Sequence, residues 1–174
     1  MILGLPRGTV TLLPHNEEWH RLFDLDKQKL ADAIPGLFVD IQHIGSTAIC
    51  GISAKPILDI MIGIKPSEKE LSFVREIEGL GYEYKGENGV PERHFFGKGV
   101  PRTVHLNVVE YGGDFWIKHV AFREYLRRHP EAVREYDELK RSLAARFAND
   151  RESYTNGKLD FVNRIISLSL SQQL

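Results

Sequence analysis

Apolar and polar positions along this chain follow first one period and then another, and the change falls near residue 113. From Asn16 to Ala33, the residues Trp19, Leu22, Phe23, Leu25, Leu30 and Ala33 lie mostly on one stripe at helical spacing, which predicts an amphipathic helix. Asn16 is suited to cap it, Glu17 and Glu18 favour its first turn, and Pro35-Gly36 ends it. Leu37 to Ile44 then alternates, with Phe38, Asp40, Gln42 and Ile44 against Leu37, Val39, Ile41 and His43, as in a strand. Small residues from Gly45 to Ala54 predict a loop. Pro56 to Ile64 is apolar except for Asp59 and reads as a buried central strand. Ser67 and Glu70 form a capping box for a helix to about Leu80, closed by Gly81. Tyr82–Lys85, His94–Lys98 and Thr103–Val109 read as three further strands. From Gly113 the period is helical: Phe115–Arg128, Glu131–Phe147, and Arg151 to about Leu170, the last interrupted in composition by Asn156-Gly157.

This order predicts an α+β fold, a mixed β-sheet with flanking helices and a helical C-terminal third. One domain is expected, with an α/β part over 1–112 and a helical part over 113–174. The 174 residues suffice for a substantial core. The formal net charge of −1 offers no global field to draw in a membrane or a nucleic acid, so any anion site must be local. The one cysteine, Cys50, excludes an intrachain disulfide and a Cys-based zinc cluster. The N-terminal apolar run is too short for a signal peptide, and no stretch reaches the ~20 apolar residues of a membrane span. A cytoplasmic location, a small-molecule partner and no membrane are therefore expected; a homo-oligomer stays open.

Chemistry concentrates where the first strand meets the loop. Gly45 allows the backbone to approach a ligand, Ser46 and Thr47 add hydroxyls, and exposed amides in such a turn can form an anion nest. Lys55 adds a positive charge. Asp59, set in an apolar strand, needs a metal, a cation or several hydrogen bonds. Phosphate donors beside a metal-binding carboxylate suggest a nucleotide site with Mg²⁺ or Mn²⁺. The bland alternative is a tight turn with Asp59 paired to Lys55 or an arginine. His43, His94 and His105 form a second group, with His105 and Asn107 sharing a strand face. If the strands are neighbours, imidazoles could join Asp59 at a metal or act as acid and base. A third group is basic: Arg123, Arg127 and Arg128, then Arg134, Lys140 and Arg141, then Tyr154 with Lys158. These could grip a polyphosphate and stack a ring, or they could form a solvated face interleaved with glutamates. Cys50 is read as a small hydrophobe, and Trp19 and Trp116 as core.

The run from His43 to Ile60, containing His-Ile-Gly-Ser-Thr and Lys-Pro-Ile-Leu-Asp-Ile, resembles the signature of the GrpB family, small bacterial proteins that also occur fused to dephospho-CoA kinase. The resemblance extends over Glu18-Trp19, Leu80-Gly81-Tyr82, His105 to Val109, Ala121 to Arg127 with His129-Pro130, Leu139-Lys140, and Tyr154 with Lys158. It implies a nucleotidyltransferase-like fold, whose enzymes carry Gly-Ser after the first strand, a pair of acids on the second and a third acid on a later strand. Gly45-Ser46 and Asp59 match, with twelve residues between Ser46 and Asp59. Met61 stands at the second acid position, His105 and Asn107 stand where the third would be, and Cys50 replaces the proline that is common in the family.

Three functions follow as expectations. In the first, a nucleotidyltransferase-like protein binds a nucleotide or phosphorylated small molecule. Gly45, Ser46, Thr47, Lys55, Asn107, Arg123, Lys140, Tyr154 and Lys158 contact the ligand, Asp59 binds metal, and His43 or His105 assists catalysis. In the second, a non-catalytic module binds a nucleotide- or CoA-type ligand. In the third, Asp59, His43, His94 and His105 form a metal-dependent phosphoesterase.

Overall fold

The computed structural model of this chain describes residues 2–65 and 72–172. Helix α1 spans Glu18–Ala33 and is followed by strand β1, Asp40–Ile44, a single 3₁₀ turn, Ser46–Ala48, and strand β2, Leu58–Ile64. Helix α2 covers Phe73–Gly79, and strands β3, β4 and β5 cover Tyr82–Tyr84, His94–Lys98 and Val104–Glu110. Four helices complete the chain: α3 (Asp114–Arg128), α4 (Pro130–Arg146), α5 (Arg151–Asn156) and α6 (Leu159–Ser171). The architecture is the expected α+β one.

Asn16 serves its predicted purpose just upstream of α1, where its Oδ1 accepts the Glu18 N–H at 2.9 Å. Three boundaries differ from expectation. The first strand begins at Asp40 because residues 34–37 stay in a turn closed by the Leu37 N–H to Ile34 C=O bond. Ser67 and Glu70 lie outside the described residues, and the helix after them runs only from Phe73. The last predicted helix is two. Asp150 caps α5 by accepting the Ser153 N–H at 3.0 Å, and the chain then breaks at Gly157-Lys158. A Cβ on Gly157 would lie 2.5 Å from Leu143 of α4, so the break is where the backbone presses against its neighbour.

The five strands form one sheet in the order β1-β2-β5-β4-β3. Its centre, β2 against β5, is parallel, and the other pairs are antiparallel. Register sorts the side chains by face. Leu58, Ile60 and Ile62 of β2, with Leu106 and Val108 of β5 and Phe96 of β4, join the main core against α1 and α2. Ile44, Met61 and Val109 occupy the opposite face beneath Trp116 of α3. Gly63 permits that contact, since a Cβ there would lie 2.7 Å from the Trp116 ring. A separate helical core of Phe122, Leu126, Tyr136, Phe161 and Ile165 receives Ile49 and Ile52 from the loop after β1. That insertion anchors the loop between sheet and helices, which positions the site.

Candidate functional site

The turn at the end of β1 meets the carboxylate of β2 at close range. Ile44 is registered opposite Asp59, so Gly45 follows directly alongside it. Gly45 has φ +69°, and a Cβ there would lie 2.5 Å from Asp59 Oδ2. Only glycine meets both conditions. Asp59 Oδ1 accepts a hydrogen bond from His105 Nδ1 at 3.0 Å, its registered neighbour on β5. Arg151 Nη2 donates toward His105 Nε2 at 3.4 Å, and an arginine can only donate, so the network assigns the proton to Nδ1. Burial would raise the Asp59 pKa, but the hydrogen bond from His105 and the positive charges of Lys55 and Lys158 outweigh it and hold the carboxyl below the usual range.

Around this carboxylate lies a cavity of about 260 Å³ lined by Gly45, Ser46, Thr47, Lys55, Asp59, His105, Tyr136, Lys140, Arg151, Tyr154 and Lys158 among others. Lys55 and Lys158 both face the Tyr154 ring, at 5.5 Å and 4.6 Å from its centroid. Lys140 Nζ donates to the Ser53 carbonyl and to Ser46 Oγ, the latter at 3.3 Å. Burial, aided by neighbouring cations, pushes Lys140 down to about 7 and Lys158 down to about 8, and lowers Lys55 as well. Four cationic side chains therefore converge on one carboxylate. This is a site short of negative charge.

Nine residues singled out from the sequence line this cavity: Gly45, Ser46, Thr47, Lys55, Asp59, His105, Lys140, Tyr154 and Lys158. Five others point elsewhere. His43 is registered opposite Ile60, not Asp59, and so lies on the other face of the sheet, stacked on Phe23 at 4.7 Å. Its Nε2 pairs with Thr47 Oγ1 at 2.9 Å, and burial first, then His20, lowers its pKa to about 3. Asn107 donates to the Ile60 carbonyl and accepts from Arg93. Arg123 is buried and donates to the His43 carbonyl at 2.7 Å and to Gln42, bracing the turn from behind. Arg127 does the same at the Ala48 carbonyl, at 2.9 Å. His94 shares the face of Val108 and bonds Tyr84. The three histidines and Asp59 are thus divided between two faces by the strand period, and the phosphoesterase arrangement does not form. Asp59 takes His105 as its hydrogen-bond partner in place of the private lysine or arginine pairing of the bland reading. Arg151 and Tyr136 were not singled out from the sequence. They reach the cavity through helix docking, which no local pattern marks.

The donor set is a poor fit for Mg²⁺ or Mn²⁺, which want several oxygen ligands. Among the described residues, Asp59 is the one carboxylate lining the cavity, and one of its oxygens already accepts from His105. Met61, at the second acid position, is fully buried beneath α3, and Asn107 is committed to backbone and Arg93. Neighbouring ammonium groups add repulsion toward a cation.

Comparison with known proteins locates the chain. It is 40% identical over 172 residues to the glutamate-rich protein GrpB of Alkalihalophilus pseudofirmus, covering 95% of this chain and 99% of that one. It is 37% identical over 158 residues to the UPF0157 protein YqkA of Bacillus subtilis, covering 90% of this chain but only 46% of the relative. The crystal structure of the conserved protein GrpB from Enterococcus faecalis superposes with a TM-score of 0.87 at 30% identity, covering 94% of this chain and 99% of that one. A cytoplasmic RNA terminal U-transferase superposes at a TM-score of 0.44 and 12% identity, a level that does not establish a shared fold. The GrpB protein family model matches residues 9–167, and this chain belongs to the GrpB family.

Proposed function

We propose that the cavity binds the phosphate groups of a nucleotide or another phosphorylated small molecule, in a nucleotidyltransferase-like arrangement. The observation that carries this reading is the convergence of Lys55, Lys140, Lys158 and Arg151 on the Gly45-Ser46-Thr47 turn in a protein whose net charge is −1. Positive charge gathered and desolvated at one point, at a cost visible in the depressed lysines, fits an anionic ligand that restores it. The cavity itself suits phosphates. A neighbouring cleft of about 590 Å³ shares Ile57, His105 and Arg151 with it, and offers Arg7, Lys85, Phe95 and Arg102 to the rest of a larger ligand.

Binding without chemistry is the reading we favour, because buried Met61 removes the second acid of two-metal transfer. The Asp59–His105–Arg151 chain supports transfer as the second reading, since a carboxylate-held imidazole can relay a proton. Calorimetry of the full chain with ATP, CoA and pyrophosphate tests the first. At least one should bind, EDTA should change its affinity little, and Lys158→Ala or Lys140→Ala should weaken it tenfold or more, about 1.4 kcal/mol. No binding by any of the three would overturn the proposal. Product formed in parallel incubations with Mg²⁺ or Mn²⁺ would move the reading to transfer.

A further inference from the structure

On the far side of the Gly45–Ala48 turn from the cavity, three side chains capable of holding a metal come together. His15 precedes α1, His20 lies in its first turn, and Cys50 lies just after the 3₁₀ turn. Their ligand atoms all fall within 4.8 Å of one another, and Cys50 Sγ lies 3.9 Å from His20 Nε2. Donors on a tetrahedral ion with bonds of about 2.3 Å to sulfur and 2.0–2.1 Å to nitrogen stand roughly 3.3–3.6 Å apart. Side-chain rotation over about an ångström closes that difference.

A second observation points to the same place. Both ring nitrogens of His15 are buried without a hydrogen-bond partner. Glu17 Oε1 lies 3.3 Å from Nε2, without hydrogen-bond geometry. Buried imidazole nitrogens left unpaired are costly and uncommon, and a metal ligand bond would satisfy one of them. The rings are held in place by their neighbours: His15 packs edge-on to Trp19 at 5.8 Å and lies 5.7 Å from His20. Cys50 is exposed, which gives an ion a route in and leaves a further coordination position for water or for Glu17.

We propose that His15, His20 and Cys50 form a mononuclear site for a thiophilic divalent cation of the Zn²⁺ type. One thiolate and two imidazoles suit that class and reject Mg²⁺. The thiol gives its proton to solvent as the sulfur–metal bond forms. The ion would tie α1 to the loop that carries the phosphate turn. His20 extends the connection, since its ring lies 5.4 Å from His43, which bonds Thr47.

The test is titration of the metal-free full chain with Co²⁺. One equivalent should bind, with a near-ultraviolet sulfur-to-cobalt charge-transfer band and the intense visible bands of four-coordinate cobalt, and Zn²⁺ should bleach both. Cys50→Ser should remove the charge-transfer band. His20→Asn and His15→Asn should each weaken binding at least tenfold, while Asp59→Asn should leave the spectrum unchanged. If Cys50→Ser does not fold, alkylation of Cys50 in the folded wild-type chain replaces it. Stoichiometric Zn²⁺ should slow that alkylation at least tenfold. The proposal is overturned if Co²⁺ gives no charge-transfer band, if the band survives His20→Asn unweakened, or if Zn²⁺ leaves the alkylation rate unchanged.

Discussion

At Gly45 two constraints meet in one atom that is absent. Gly45→Ala must place a methyl 2.5 Å from Asp59 Oδ2 at φ +69°, so either the turn or the carboxylate moves. A loss of about 2–3 kcal/mol in chemical denaturation is expected, together with loss of ligand binding. A variant as stable as the wild type would show that the close approach is not needed. His43 gives a pH-dependent expectation. Its pKa is about 3 in the folded chain against about 6.5 unfolded, so below 6.5 the unfolded chain takes up a proton that the native one refuses. Stability contributed by the neutral ring is present above pH 6.5 and is lost as pH falls toward 3, by up to about 1.4 kcal/mol per pH unit. Urea midpoints across that window should fall less steeply for His43→Gln, by about one proton.

Element by element, the chain declares its periods more readily than its pairings. Helices α1, α3 and α4 and strands β2, β4 and β5 follow from apolar spacing and from Asn16 and Pro35-Gly36, because those signals are local. The turn and Asp59 were legible for the same reason: glycine, hydroxyls and a lone acid in an apolar run stand out in sequence. The face on which His43 sits was not, since it depends on Ile44, not His43, being registered to Asp59, and register is set by the partner strand. Arg151 and Tyr136 depend on how α5 and α4 dock, and nothing in their own segments marks them. Docking of this kind supplies its own test at β2 and α3. Gly63→Ala would drive a methyl into Trp116, and a loss of about 1–3 kcal/mol with altered tryptophan fluorescence is expected. Unchanged stability would mean that α3 can slide on the sheet at no cost.

Across the whole molecule, the sheet supplies one acid, the helices supply three of the cations, and the loop between them supplies Lys55 and is held from both sides. The helical cations come from chain segments about a hundred residues from the turn, as Lys140 reaching Ser46 shows. Such a site is assembled only in the folded chain, and it strains that fold. Lys158 holds an ammonium in a desolvated place, facing Tyr154 and near Lys55. Lys158→Met should therefore raise the stability of the ligand-free protein at neutral pH by about 1–2 kcal/mol, or a few degrees in Tm, while weakening the ligand. A lower Tm would mean that the ammonium stabilises the empty fold.

The same lysines turn the cavity into a proton reservoir. With Lys140 near 7 and Lys158 near 8, the ligand-free protein carries fewer protons at physiological pH than four cationic side chains would suggest. An arriving anion favours the ammonium forms and draws protons from the surrounding buffer. The heat of binding will then contain the buffer's own ionisation heat, and affinity will fall as pH rises through 7 and 8, even for a ligand whose own charge does not change.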